Sequence, residues 1–135
     1  MDNNVKEWMD FAEADLGSAH YLFDNYYRKP YHIICYHAQQ AAEKALKAVI
    51  VANGATGGLP KVHDLEFLLN QMKNYVSVSE NLYDYADVLT PYGIVARYPG
   101  EVSMTEDKAR MALKYADEIV AWADKEINKN VEIEK

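Results

Sequence analysis

Residues 36–48 run Tyr36-His37-Ala38-Gln39-Gln40-Ala41-Ala42-Glu43-Lys44-Ala45-Leu46-Lys47-Ala48. Ala38, Ala41, Ala42, Ala45 and Ala48, continued by Ala52, recur at three- and four-residue steps, the period of one face of an α-helix. Small side chains let a second helix approach closely, and alanine is the strongest helix former. Beside that face His37, Gln40, Lys44 and Lys47 step by three, four and three into one polar stripe, with Glu43 at its edge. The spacing predicts a helix from about Tyr31 to Asn53.

Upstream, Trp8, Phe11, Ala12, Leu16, Ala19, Leu22, Phe23 and Tyr26 repeat with the same period, so Val5 to Tyr26 reads as a long amphipathic helix. Arg28-Lys29-Pro30 breaks it, and Pro30 is tolerated near the start of the next helix. Downstream, Gly54 to Pro60 reads as a connector. It is no phosphate loop, because Pro60-Lys61-Val62 stands where Gly-Lys-Ser/Thr is required and no strand precedes it. His63-Asp64 opens a third helix carrying Leu65, Leu68, Leu69 and Met72 on one side. Ser77-Val78-Ser79-Glu80 has capping-box spacing and predicts a fourth helix through Leu82, Tyr85, Ala86 and Leu89, interrupted by Pro91 and Gly93. Pro99-Gly100 ends that segment. A second box, Ser103-Met104-Thr105-Glu106, predicts a last helix to about Asn128 with the stripe Ala109, Ala112, Leu113, Ala116, Ile119, Val120, Ala123 and Ile127. No segment alternates with a clean two-residue period. The expectation is an all-α, up-and-down bundle of four to five helices, one domain over residues 1–135.

Composition narrows the function classes. The chain has 135 residues, half of them hydrophobic and 26% charged, which suits one packed core and excludes disordered or fibrous sequence. The longest aliphatic stretch, Ala48 to Ala52, is far short of the roughly 20 residues that span a bilayer, so no membrane role is expected. The polar, acidic start and the lone Cys35, which has no partner for an internal disulfide, fit a cytoplasmic protein. A net charge of −7 argues against broad nonspecific nucleic-acid binding, though not against a local basic site. Tyrosine supplies 11 aromatics against 2 Trp and 3 Phe; it suits half-wet grooves and interfaces as well as a tyrosine-rich core. Met111, Tyr115 and Trp122 lie off the last helix's main stripe, so a homodimer with a two-fold interface is expected.

Candidate chemistry concentrates on the second helix. The stripe reads either as a solvated face with ordinary salt bridges or as the lining of a groove, where His37 titrates and Lys44 and Lys47 hold phosphate. Asp15, set among Phe11, Ala12 and Ala19 on an apolar face, needs a polar partner such as His37, Lys44 or Lys47. Gln40 and Glu43 are structural polar groups of the same helix. Metal ligation is not expected: His32 and His37 are turned about 140° apart on a helix, and His63 with Asp64 and Glu66 reads better as a hydrogen-bonded helix start. Arg97-Tyr98-Pro99-Gly100 joins a bidentate anion ligand and a stacking ring to a rigid turn, or else caps a helix through Arg97. As an anion site, Arg97 and Tyr98 would face the cleft of the His37–Lys47 stripe.

These pieces resemble the HEPN domain, the higher eukaryotes and prokaryotes nucleotide-binding domain. The match rests on Tyr36 to Ala48, with Ala14-Asp15-Leu16 and Ala19 upstream, then His63-Asp64-Leu65 with Leu68-Leu69, then Ala96 to Gly100, in the family's order. The resemblance implies a helical bundle that is usually dimeric and binds a nucleotide. It also implies frequent pairing with a minimal nucleotidyltransferase in two-gene, toxin–antitoxin modules. No cofactor is expected. Many of the wider superfamily are metal-independent ribonucleases with a spaced arginine–histidine motif at the dimer interface. This chain departs from that motif. The positions its spacer permits hold Val102, Ser103 and Met104 after Arg97, Tyr115, Ala116 and Asp117 after Arg110, and Ile33, Ile34 and Cys35 after Arg28. An RNA-cutting alternative would therefore use Arg97 with His37 or His63 brought close by the fold; a purely structural interaction module is the remaining alternative.

Overall fold

The computed structural model describes residues 3–54, 62–95 and 103–134, and among these no strand occurs. The helices are α1 (Asn3–Asn25), α2 (Tyr31–Ala52), α3 (Leu65–Met72), α4 (Glu80–Leu89), the single turn α5 (Tyr92–Val95) and α6 (Glu106–Glu134). The alanine face explains the architecture. Ala38, Ala41, Ala42, Ala45 and Ala48 are all fully buried, so α2 lies at the centre, packed mainly between α1 and α6 and touching every other helix. The predicted stripe of α6 is buried at each of its eight positions. On α1 the core takes Val5, Met9, Ala12 and Ala19, while Phe11, and Tyr26 just past the end of α1, both expected in the stripe, stand more than half exposed.

Helix ends follow local chemistry. Pro30 sits at the N-cap of α2, where a missing N–H costs nothing. Asn53 closes the other end, its Nδ2 donating to the Val49 carbonyl at 2.8 Å, and Gly54 then turns the chain with φ +85°, a conformation glycine adopts without strain. Asp64 caps α3, its Oδ1 accepting from the Glu66 and Phe67 amides at 3.0 and 3.3 Å. Both predicted capping boxes are corrected. Residues 77–79 are not helical; Val76 and Val78 pack against the core at alternate positions, and α4 begins at Glu80 behind an extended Ser79 that makes no cap bond. Likewise Met104 packs on the core and the cap moves to Thr105, whose Oγ1 accepts from the Lys108 amide at 3.2 Å. The last helix continues past Asn128 to Glu134.

Part of the surplus apolar surface of α6 is absorbed within the chain. Tyr115 stacks on Tyr85 with centroids 4.6 Å apart, and Trp122 packs partly against the core, whereas Met111 stays exposed beside Val88.

Candidate functional site

α2 holds one carboxylate system on each side. Toward α1, Asp15 is withdrawn from water, its side chain only 15% exposed. Its Oδ1 lies 3.0 Å from His37 Nδ1, and its Oδ2 accepts from the Lys44 ammonium. An ionised carboxylate has no proton to give, so His37 donates through Nδ1–H and its Nε2 is left as the acceptor of the neutral ring. The apolar seat of Asp15 on α1 demands this pairing, since an unsatisfied buried carboxylate is costly.

On the other side Glu43 is 4% exposed and accepts three donors. Gln39 Nε2 at 3.1 Å and His63 Nδ1 at 2.8 Å meet Oε1, and Lys47 Nζ meets Oε2 at 3.1 Å. Gln39, wholly buried, also donates to the His63 carbonyl at 3.1 Å and accepts from Gln40 Nε2 at 2.8 Å. The network is complete, and among the described residues no buried side-chain polar atom lacks a partner. Gly93, in the α5 turn, lies flat on the Gln39 amide: a Cβ at that position would come within 2.9 Å of its Cδ.

The single predicted stripe is therefore two clusters: Asp15, His37 and Lys44 in one, Glu43, Lys47, His63 and Gln40 in the other. It is not a solvated face. Lys47, expected as a phosphate ligand, is instead committed to Glu43 with its side chain 10% exposed, because the i,i+4 spacing on one helix brings the two together. His63 does not cap the helix start; Asp64 does, and His63 turns back to Glu43. Lys44 keeps the more open position, 26% exposed. Arg97 and Tyr98, and with them the cleft they were expected to share with the stripe, lie outside the described residues. Cys35 is buried, and burial pushes its thiol up to about 12, against a smaller opposing pull from Lys108.

Two features were not anticipated. Gln39, read only as part of the α2 run, is the hub of the second cluster, and its four-residue spacing from Glu43 was the available signal. A recess of about 450 Å³ also opens where Glu7, Trp8 and Phe11 of α1 meet Lys44. The Lys44 ammonium stands 5.9 Å from the Phe11 ring centre, and that of Lys47 5.7 Å from Trp8. A wider recess between α1 and α6 is lined by His20 and Asp117, hydrogen-bonded at 2.7 Å, and by Arg110, whose guanidinium pairs with Glu106 at 3.3 Å. Among the described residues no group of three His, Cys, Asp or Glu side chains is placed to hold a metal, and no helix is long and apolar enough to cross a membrane.

The chain is similar in structure to TT1696 from Thermus thermophilus, with a TM-score of 0.80 and 31% identity over 93% of this chain and 99% of that one. It is similar to ST0689, described as an archaeal HEPN homologue, with a TM-score of 0.72 and 25% identity over 94% and 99% of the two chains. A HEPN domain protein of Thermotoga maritima, tm0613, superposes with a TM-score of 0.65 at 25% identity, over 88% of this chain and 95% of that one. A search of the curated proteins finds no match. The HEPN domain model matches residues 5–127, nearly the whole length over which the helices and both α2 clusters are built, and the chain belongs to the HEPN domain family.

Proposed function

We propose that this HEPN domain is the ligand-binding component of a two-gene module: a homodimer that takes the phosphate of a nucleotide on Lys44 and works with a minimal nucleotidyltransferase. The supporting observation is the cluster on Asp15. One withdrawn carboxylate gathers an ammonium and an imidazole across the α1–α2 seam, and Lys44 remains accessible there while Lys47 is committed to Glu43. An incoming phosphate meets an ammonium held in place by Asp15, with the His37 ring on the same carboxylate beside it. Isothermal titration with ATP tests the reading: binding that drops at least tenfold in Lys44→Ala supports it, and no heat at millimolar ATP sinks it. The partner is tested separately, by whether a small nucleotidyltransferase is encoded next to this chain and co-purifies with it.

A second reading, metal-independent RNA cleavage, has one observation of its own. Glu43 fixes a proton on Nδ1 of His63, so Nε2 of this half-exposed imidazole has the form of a general base. Incubating the pure protein with RNA and EDTA, beside His63→Ala, separates the two readings. Cleavage lost in the variant favours the enzyme; intact RNA leaves the binding component.

A further inference from the structure

The recess between α1 and α2 is polarised in a way that the Lys44 cluster alone does not use. Glu7 and Phe11 are four residues apart on α1 and share one face, with Trp8 beside them, so a carboxylate, two aromatic rings and the Lys44 ammonium line one opening of about 450 Å³. Phe11 presents 55% of its surface outside the core although it lies on a core-facing stripe of the sequence. Glu7 is an exposed carboxylate for which the described residues supply no hydrogen bond or ion pair. Glu7 and Asp15, which holds Lys44, stand one helical turn to either side of Phe11, so carboxylate, ring and cation follow one another and match a ligand with a hydrogen-donating edge, a planar body and an anionic tail.

We infer that this recess seats the base of the bound nucleotide, stacked on Phe11, and that Glu7 selects bases carrying an exocyclic amine. The inference rests on the phosphate reading above and adds the base to it. Repulsion from Glu7 keeps the phosphates at the Lys44 end, which fixes the direction of the ligand. Stacking on an aromatic side chain strengthens binding about tenfold per base in comparable sites. A carboxylate accepts from the adenine amine and finds only an acceptor oxygen at the same position in hypoxanthine.

Isothermal titration with three probes, inorganic triphosphate, ATP and ITP, tests it on the full chain. ATP is expected to bind about tenfold more tightly than triphosphate and more tightly than ITP. Phe11→Leu, which keeps an apolar side chain without a π face, brings ATP down to the triphosphate level, and Glu7→Gln erases the preference for ATP over ITP. If triphosphate binds and Lys44→Ala abolishes it, but ATP gains nothing over triphosphate or Phe11→Leu changes nothing, the base site is overturned while the phosphate reading stands. If neither ATP nor triphosphate binds, both fall together.

Discussion

Glu43 and His63, twenty residues apart, meet at 2.8 Å through Oε1 and Nδ1, and the same carboxylate holds Lys47 at 3.1 Å through its other oxygen. The loop before α3 does not need this contact for anchorage, since Gln39 already ties the His63 carbonyl and Asp64 caps the helix. What the carboxylate does balance is the Lys47 ammonium, withdrawn with it between the helices. Glu43→Gln is therefore expected to lower stability by about 3 kcal/mol, because it leaves that ammonium without its counter-charge. Adding Lys47→Met should recover part of the loss; urea denaturation of both variants checks this. A double variant no better than the single one would show that the ion pair is not the source.

Asp15→Asn is expected to cost about 2 kcal/mol, because the amide has one acceptor oxygen for the two donors His37 and Lys44 and no charge to balance the Lys44 ammonium. The α1–α2 seam carries the effect, so hydrogen exchange should quicken along α1 before it does in α6. Uniform quickening over both helices would point to global unfolding instead.

Cys35 gives a pH dependence whose sign is fixed. Its folded thiol is pushed from 9.0 to about 12, chiefly by burial, so the native state favours the protonated form. The unfolded chain sheds that proton near pH 9, the folded one only near pH 12, so stability falls as pH rises from about 9. Cys35→Ala should flatten this slope in thermal melts between pH 8 and 10.5. Below pH 8 the folded thiol should also stay unmodified by a disulfide reagent.

Most of the fold was legible because periodicity reports burial directly. The alanines of α2 and the stripe of α6 are where a 3.6-residue repeat puts them. The capping boxes misled because the motif describes only local hydrogen bonds, while the packing of Val76, Val78 and Met104 decides where each helix can begin. At the site, Asp15 betrayed itself as a charge on an apolar face. The separation of Lys44 from Lys47 was harder, since it depends on which carboxylate each reaches. Lys47 and Glu43 share a helix, but Asp15 arrives from another, 29 residues away. Glu7 and Phe11 gave no sign, because a recess exists only once two helices are side by side.

The exposed side chains Met111 and Val88 border a recess of about 280 Å³ that Tyr92 of α5 and Tyr115 of α6 also line. If this apolar surface is the homodimer contact, light scattering gives twice the 15.4 kDa chain mass, and Met111→Asp returns it to one chain without changing the helical circular dichroism. A monomer mass for the unmodified protein at micromolar concentration would exclude the dimer.

Gly93→Ala tests the close approach of α5 to α2. The added methyl carbon would stand 2.9 to 3.1 Å from the terminal atoms of Gln39, nearer than side-chain carbons pack. A flexible side chain would normally swing aside, but this amide is held by Glu43, by the His63 carbonyl and by Gln40, and Gln39 is wholly buried. Moving it breaks several hydrogen bonds at once, so the α5 turn must give way instead, at a cost of about 1 to 3 kcal/mol for overpacking. Gln39→Ala alone removes the hub and is destabilising too, leaving Glu43 and the His63 carbonyl each one donor short. Combined, the two changes relieve the clash, so the double variant should be more stable than the sum of the single losses implies by at least about 0.5 kcal/mol, the coupling expected of residues in contact. Additive losses in urea denaturation would mean that α5 shifts freely and that Gln39 does not set its position.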